Sequence, residues 1–300
     1  MGAGEIDRAA AALPDQREGP VKGEIVLKRD MLELWRGDAA KLPVPDGAAA
    51  CIVTSPPYNV GINYDGDHAG DGRAFADYWA DAEVWAQEMA RVLGDTGRLW
   101  LNVAPVVAEA VNPAGHHSGR CSKARAGLLP GWINLLEGAG MSMVDIVAWT
   151  GSRGAGTAWG SWETPSAPNL RGDWESIILM CKGSWVRTPP SGYEHWRDPL
   201  GGWPQLTRNV WRFAPESRTL GHPAPFPVEL ATRAIRLSTW PGELVVDPFV
   251  GSGTTLVAAD LLGRRGVGVE RSDRYCRIAR SRLSQGVLPL FASEEQPIHA

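Results

Sequence analysis

Leu244-Val-Val-Asp247-Pro-Phe-Val-Gly251-Ser-Gly253-Thr-Thr-Leu256 reads as a short apolar strand that runs through an acid and a Gly-x-Gly turn into a helix starting near Thr254. Few architectures accept that succession. A strand that is apolar on both faces belongs inside a parallel sheet, and helices must cover it. The same rhythm recurs along the chain. Strands are expected at Glu24–Lys28, Ala48–Thr54, Arg98–Val103, Met143–Trp149, Ser176–Cys181, Glu243–Val246 and Gly266–Glu270. Helices are expected over 73–93, Pro227–Thr239, Thr254–Leu262 and Arg274–Leu283, with a further helical stretch after the first strand, ending near Leu42. Alternating strands and helices imply an α/β, doubly wound, mostly parallel sheet.

Composition narrows the function classes. The chain has 300 residues, 44% of them hydrophobic and 21% charged, enough to bury a sizeable core. No apolar run approaches the roughly 20 residues of a membrane-spanning helix, so no membrane role is expected. The acidic N-terminus lacks the basic start and apolar stretch of a signal peptide. Four scattered cysteines without a CxxC fit a reducing cytoplasm, and the expected location is cytoplasmic. A formal net charge of −4 excludes a histone-like binder but allows a local basic face. Residues 1–20 read as a leader and 286–300 as a tail. Three turn-rich segments, 105–130, 151–172 and 186–221, break the strand–helix rhythm, and loops this long in a compact domain usually carry function. Eight of the 14 tryptophans lie between 149 and 211, and their setting among turn residues suggests that some line a surface while others pack the core.

The Gly-rich turn suits a ligand. Gly251 and Gly253 remove Cβ atoms where a ligand would approach the backbone, and the helix N-terminus offers free N–H donors. One strand further on, Glu270 can accept both hydroxyls of a ribose. A dinucleotide would want a third Gly where Leu256 stands, and Asp247 lies where a cationic group could be met. A nucleoside with a charged centre and no phosphate fits best, which describes S-adenosyl-L-methionine.

A second constellation, Thr54-Ser55-Pro56-Pro57-Tyr58-Asn59, ends another buried strand. Ligands of open α/β sheets sit at that end. Two prolines lock the backbone, so the Ser55 side chain and the Pro56 carbonyl hold fixed positions beside the flat ring of Tyr58. Acceptors in one plane next to an aromatic face suit the exocyclic amine of a base. His116, His117 and Cys121 lack the further ligands of a zinc site and read as a solvated loop, so no metal is expected.

The pair of motifs resembles the DNA amino-methyltransferases, which methylate N4 of cytosine or N6 of adenine. Ser55-Pro56-Pro57-Tyr58 is similar to that family's catalytic (D/N/S)PP(Y/F) motif, and Asp247–Thr255 to its DPFxGSGTT cofactor motif. Gly37-Asp38 resembles the acidic position near the cofactor adenine, and His222-Pro-Ala-Pro-Phe226-Pro227 an HPxxFP element near the methionine moiety. Trp174-Glu175-Ser-Ile-Ile-Leu and the strand ending in Glu270 resemble two further family elements. The order, catalytic motif first, is that of the circularly permuted β class with its Rossmann-like methyltransferase fold. The resemblance implies one methyltransferase domain over 21–285, with a catalytic half at 21–185, a cofactor half at 222–285 and target recognition in the three inserts.

It also implies roles. Ser55, Pro56, Pro57 and Tyr58 would be catalytic. Asp38, Thr54, Phe226, Pro227, Asp247, Pro248, Phe249, Gly251, Ser252, Gly253, Thr254, Thr255 and Glu270 would hold the cofactor. Arg120, Lys123, Arg125, Arg153, Arg187, Arg208 and Arg212 are the candidate DNA contacts. The implied partner is double-stranded DNA, with or without a cognate restriction endonuclease, and the implied enzyme is a monomer or homodimer, bacterial or encoded by a phage. Serine at 55 points to N4 of cytosine in a flipped base, with N6 of adenine as the alternative. Two rivals, a nucleotide-dependent oxidoreductase and a non-catalytic DNA-binding module, leave the Ser-Pro-Pro-Tyr motif unexplained.

Overall fold

The computed structural model describes residues 23–62, 74–108, 125–151, 161–170, 172–216 and 226–285. The leader and tail lie outside them, as do parts of all three inserts. Among the described residues, eleven strands and six helices follow in chain order: β1 (Gly23–Arg29), β2 (Leu32–Gly37), β3 (Ala49–Thr54), α1 (Phe75–Val92), β4 (Leu93–Val103), β5 (Val107–Ala108), β6 (Arg125–Ala126), α2 (Leu128–Gly138), β7 (Met141–Thr150), β8 (Trp174–Lys182), α3 (Trp203–Leu206), β9 (Val210–Arg212), α4 (Val228–Arg236), β10 (Leu244–Asp247), α5 (Thr254–Leu261), β11 (Arg265–Glu270) and α6 (Asp273–Ser284). No helix among the described residues is long and apolar enough to cross a membrane.

Nine strands form one sheet in the order β1-β2-β11-β10-β3-β4-β8-β7-β9, while β5 and β6 pair separately. The run from β2 through β4 is parallel, as is β7 with β9, whereas β1/β2, β4/β8 and β8/β7 are antiparallel. This is the mostly parallel, doubly wound sheet that the strand–helix rhythm implied. The chain winds outward from β3 to β4 on one side and from β10 to β11 on the other. The switch point therefore falls between β3 and β10, where open α/β sheets bind their ligands.

Pleating assigns the strand residues to two cores. On β3, Ile52 faces a core shared with α1 and α2 (Tyr78, Ala82, Met89, Leu128, Trp132, Leu136). Cys51 and Val53 face the opposite core, with α4, α5 and α6 (Leu230, Ile235, Leu256, Ala279, Leu283). Helix α6 starts at Ser272, whose side chain caps the N–H of Tyr275.

Several expectations change. The helical stretch expected up to Leu42 is instead β2, which pairs antiparallel with β1 and parallel with β11. Its residues alternate, Leu32 and Leu34 toward one core and Trp35 toward the other. A six-residue run with Glu33 among its apolar positions is too short for its period to separate helix from strand. Helix α2, partly inside the expected insert 105–130, escaped the sequence reading. The insert 186–221 contributes β9, which continues the sheet beside β7. Its Trp211 is fully buried and stacks on Trp100 with centroids 5.6 Å apart. The tryptophan cluster divides accordingly, since Trp149 and Trp211 are core while Trp162, Trp174, Trp185 and Trp203 are exposed.

Gly183, at the turn after β8, adopts φ +64°, and a Cβ there would lie 2.3 Å from the Asp95 carbonyl oxygen. Backbone cannot retreat as a side-chain tip would. Gly183→Ala should therefore destabilise the fold by about 2–4 kcal/mol, read from urea unfolding, through left-handed strain plus the clash.

Candidate active site

Strands β3, β10 and β11 are parallel neighbours, so their C-terminal residues Thr54, Asp247 and Glu270 emerge on one edge of the sheet. Asp247 is fully buried. Thr54 Oγ1 donates to its Oδ1 (2.6 Å), Thr255 Oγ1 to its Oδ2 (2.6 Å), and the Phe249 N–H to Oδ1 (3.0 Å). Burial pushes the Asp247 carboxyl up to about 6, against the pull of these three hydrogen bonds. Its oxygens are occupied by protein donors, so the carboxylate ties the two motifs together rather than facing a cation.

Glu270 Oε2 accepts the Gly251 N–H (2.9 Å) and Oε1 the Ser272 N–H (2.8 Å). Burial raises this carboxyl to about 7, with the backbone donors opposing. Backbone N–H groups of Gly251, Arg271 and Ser272 surround this carboxylate and leave only part of its acceptor capacity for a further donor such as a ribose hydroxyl. Gly251 and Gly253 both have positive φ, +51° and +87°. At Gly253 an added Cβ would press on Ala279 of α6 at 3.3 Å, so backbone conformation and helix packing already demand glycine here. Arg282 of α6 donates to Thr254 Oγ1 (3.0 Å) and holds the turn from below. Phe249 packs edge-on against Trp85 of α1, centroids 5.0 Å apart.

Asp38 follows β2, whose end lies beside Glu270 through the Arg36–Glu270 register, and its carboxylate accepts the Ala40 N–H (2.8 Å). Phe226 packs on the core beneath the sheet, and Pro227 precedes α4. His222–Pro225 lie outside the described residues.

The Ser55–Tyr58 turn leaves β3 on the same edge. Tyr78 Oη donates to the Pro57 carbonyl (2.9 Å), Trp132 Nε1 donates to Tyr78 (3.0 Å), and buried Asn59 takes the left-handed conformation that ends the turn. Two residues that the sequence reading gave no role in the site join it. Asn102 lies near the end of β4. Glu175 stands near the start of β8, which pairs antiparallel with β4, so the end of one strand meets the start of the other. Tyr58 Oη donates to Glu175 Oε2 (3.0 Å), and Asn102 Nδ2 donates to both Tyr58 Oη (2.9 Å) and Glu175 Oε2 (2.8 Å). Ser55 Oγ lies 3.1 Å from the Asn102 carbonyl and 3.3 Å from Tyr58 Oη. Asn102 is buried, and its Oδ1 accepts no hydrogen bond among the described residues. The signal for Asn102 was an amide inside the otherwise apolar run Leu99–Val103; for Glu175 it was a carboxylate opening a buried strand.

The candidate DNA contacts scatter. Arg187 is turned inward, paired bidentately with Glu243 (2.5 and 3.1 Å), donating to the Ser238 carbonyl and lying 4.7 Å over the Trp240 ring. Its guanidinium is committed to the protein interior, where the sequence reading had it facing DNA. Arg208, just before β9, and Arg212, its last residue, are exposed. Arg120, Lys123 and Arg153 lie outside the described residues, as does the side chain of Arg125.

The DNA methylase family model for N6 and N4 enzymes matches residues 49–281. Among similar proteins, the type II methyltransferase M.ScaI of Streptomyces caespitosus is 28% identical over 286 residues, covering 86% of this chain and 83% of its own. M.Cfr9I of Citrobacter freundii is 28% identical over 273 residues, covering 83% and 87%. Among solved structures, TTHA0409 of Thermus thermophilus, in complex with S-adenosyl-L-methionine, has a TM-score of 0.64 at 28% identity, covering 84% of this chain and 93% of its own. The cytosine-N4-specific PvuII DNA methyltransferase, at 17% identity and a TM-score of 0.65, shares the fold over 88% of this chain and 90% of its own. With the family matched across 49–281 and both of its motifs meeting at the switch point, the chain belongs to the N6/N4 DNA methylases, S-adenosylmethionine-dependent methyltransferases of DNA.

Proposed function

We propose that this methyltransferase acts on N4 of cytosine in double-stranded DNA, taking the base out of the helix to reach it. Amino-methylation itself is carried by the Thr54–Asp247 hydrogen bond, which brings Ser55-Pro56-Pro57-Tyr58 beside the Gly-rich turn across 193 positions of sequence. Serine rather than aspartate at 55 supports cytosine over adenine, and the resemblance of this motif to the N4 branch points the same way.

The cofactor supplies an electrophilic methyl group when bound. Glu270 holds the ribose, Asp38 lies near the adenine, and Phe226 and Pro227 line the methionine side. The turn Asp247–Thr255 shapes the floor, with Pro248, Phe249, Gly251, Ser252, Gly253 and Thr254 as its wall and Asp247, Thr54 and Thr255 as its internal brace. The extruded base stacks on Tyr58 while its amine donates to Ser55 Oγ and the Pro56 carbonyl. Those bonds draw the nitrogen toward tetrahedral geometry and localise its lone pair toward the methyl group. No covalent enzyme intermediate is needed, and buried Cys51, whose thiol burial raises to about 12, stays outside the chemistry. Arg208 and Arg212, with Arg120, Lys123, Arg125 and Arg153, are the phosphate or base contacts in this reading. The enzyme works in the cytoplasm as a monomer or homodimer, paired with a restriction endonuclease.

Mass spectrometry of nucleosides from DNA of cells expressing the protein should find N4-methylcytosine. N6-methyladenine instead would keep the mechanism and overturn the base assignment, and neither would overturn the reading. Ser55→Ala should lower turnover roughly 10–1000-fold, with cofactor affinity held, by removing one positioned acceptor.

Cofactor affinity carries a pH signature. Ribose hydroxyls donate to the ionised carboxylate, and the protonated acid gives up acceptor capacity. Affinity by calorimetry should therefore tighten as pH rises through about 7 and level off above it. Glu270→Gln should flatten that rise, and Glu270→Ala should weaken binding by about 1–3 kcal/mol. A Glu270→Gln profile identical to that of the unmutated protein would remove Glu270 from the ribose site.

A further inference from the structure

Tyr58 was assigned a stacking face by its sequence, yet its hydroxyl is the centre of a polar cluster. It accepts from Asn102 Nδ2 (2.9 Å), sits 3.3 Å from Ser55 Oγ, and donates to Glu175 Oε2 (3.0 Å). A phenol has one proton to give, and the Glu175 carboxylate lies nearer than the Asn102 carbonyl, which stands at 3.3 Å. The two Nδ2 protons of Asn102 go to Tyr58 and to Glu175 Oε2 (2.8 Å), which fixes the orientation of the amide and leaves it no acidic role. Ser55 Oγ has two acceptors in reach, the Asn102 carbonyl at 3.1 Å and Tyr58 Oη at 3.3 Å, and only the hydroxyl can pass a proton on, so the cluster's route runs from the motif serine through the motif tyrosine to the carboxylate of a strand 117 positions later.

Methylation of an amine demands such an outlet. As nitrogen bonds the methyl group, the methyl–sulfonium bond breaks and its electron pair stays on sulfur. The nitrogen becomes cationic and must release one proton. We propose that Glu175 is the terminal acceptor of that proton, reached through Ser55 and Tyr58. The amine proton passes to Ser55 Oγ, the Ser55 hydroxyl proton to Tyr58 Oη, and the Tyr58 hydroxyl proton to Glu175. One proton leaves the nitrogen, one arrives on the carboxylate, and both hydroxyls are restored. Glu175 touches no substrate and is a positioning residue that acts through Tyr58, drawing charge from the nitrogen as it develops. The inference rests on the amino-methylation reading above and adds to it the route of the proton.

Two conservative variants test it. Glu175→Gln keeps an acceptor oxygen for Tyr58 but cannot take a proton, and Tyr58→Phe keeps the stacking ring but cuts the path in its middle. With tritiated S-adenosylmethionine and unmethylated plasmid DNA, each should lower the single-turnover rate by about 100–10,000-fold, the range for a lost proton-transfer group. Affinities for cofactor and DNA should stay within about twofold, and the double variant should be no slower than the slower single one, because both interrupt one path. A readout independent of turnover is the Cζ resonance of Tyr58 in protein with labelled tyrosine. It can be assigned among the five tyrosines by its loss in Tyr58→Phe, and it should move in Glu175→Gln.

A Glu175→Gln enzyme near the native rate would reduce Glu175 to a hydrogen-bonding prop and overturn the proposal. A Tyr58→Phe enzyme at the native rate would do the same, whatever the Glu175 variants show. Losses that multiply in the double variant would also overturn it. In each of those cases the unmutated protein still methylates DNA and the amino-methylation reading stands. An unmutated protein that transfers no methyl group to DNA would overturn that reading, and this proposal with it.

Discussion

A carboxylate with no exposed surface holds the two halves of this enzyme in register. Asp247 accepts from Thr54 at the end of β3, from Thr255 in the first turn of α5, and from the backbone of its own loop. Burying a carboxylate is costly, and its raised pKa shows that three hydrogen bonds do not fully offset the desolvation. The fold tolerates that cost at the switch point because the same bonds fix the spacing between the Ser-Pro-Pro-Tyr turn and the Gly-rich turn. A methyl transfer that depends on in-line approach is sensitive to small errors in that spacing.

Around this tie, strand direction decides which side chains can act. Parallel β2, β11, β10, β3 and β4 bring Asp38, Glu270, Asp247, Ser55 and Asn102 to one edge of the sheet. The antiparallel pairing of β8 with β4 brings the start of β8 to that edge, and with it Glu175. A parallel strand in the same place would have presented Lys182 instead. The reversal at β8 therefore supplies a carboxylate on the far side of Tyr58 from the Gly-rich turn, and the hydroxyl of Tyr58 spans the gap.

The arginines show how charge is divided between structure and surface. Arg187 pairs with Glu243 and lies over Trp240, Arg236 pairs with Asp198, and Arg98 lies over Trp185 while donating to the Leu237 carbonyl. Each pins the segment after β8 or the α4 region to the sheet through planar stacking and directed donors, which lysine would not reproduce. The abundance of arginine thus serves the interior as well as whatever face meets DNA.

Much of the architecture could be read from local sequence. The Gly-rich turn, the Pro-Pro turn and the apolar strands β3, β10 and β11 declare themselves because their conformations are dictated within a few residues, by missing Cβ atoms, locked φ angles and two-sided burial. The family resemblance followed from those same short motifs. What local sequence left open depended on partners distant along the chain. Leu32–Gly37 became a strand only because β1 and β11 flank it, and Trp211 became core because β9 finds β7 and Trp100. Arg187 turned inward because Glu243 waits 56 positions away. Asn102 and Glu175 entered the site for the same reason: a strand's polarity and its neighbours are properties of the assembled sheet, and no window of sequence contains them.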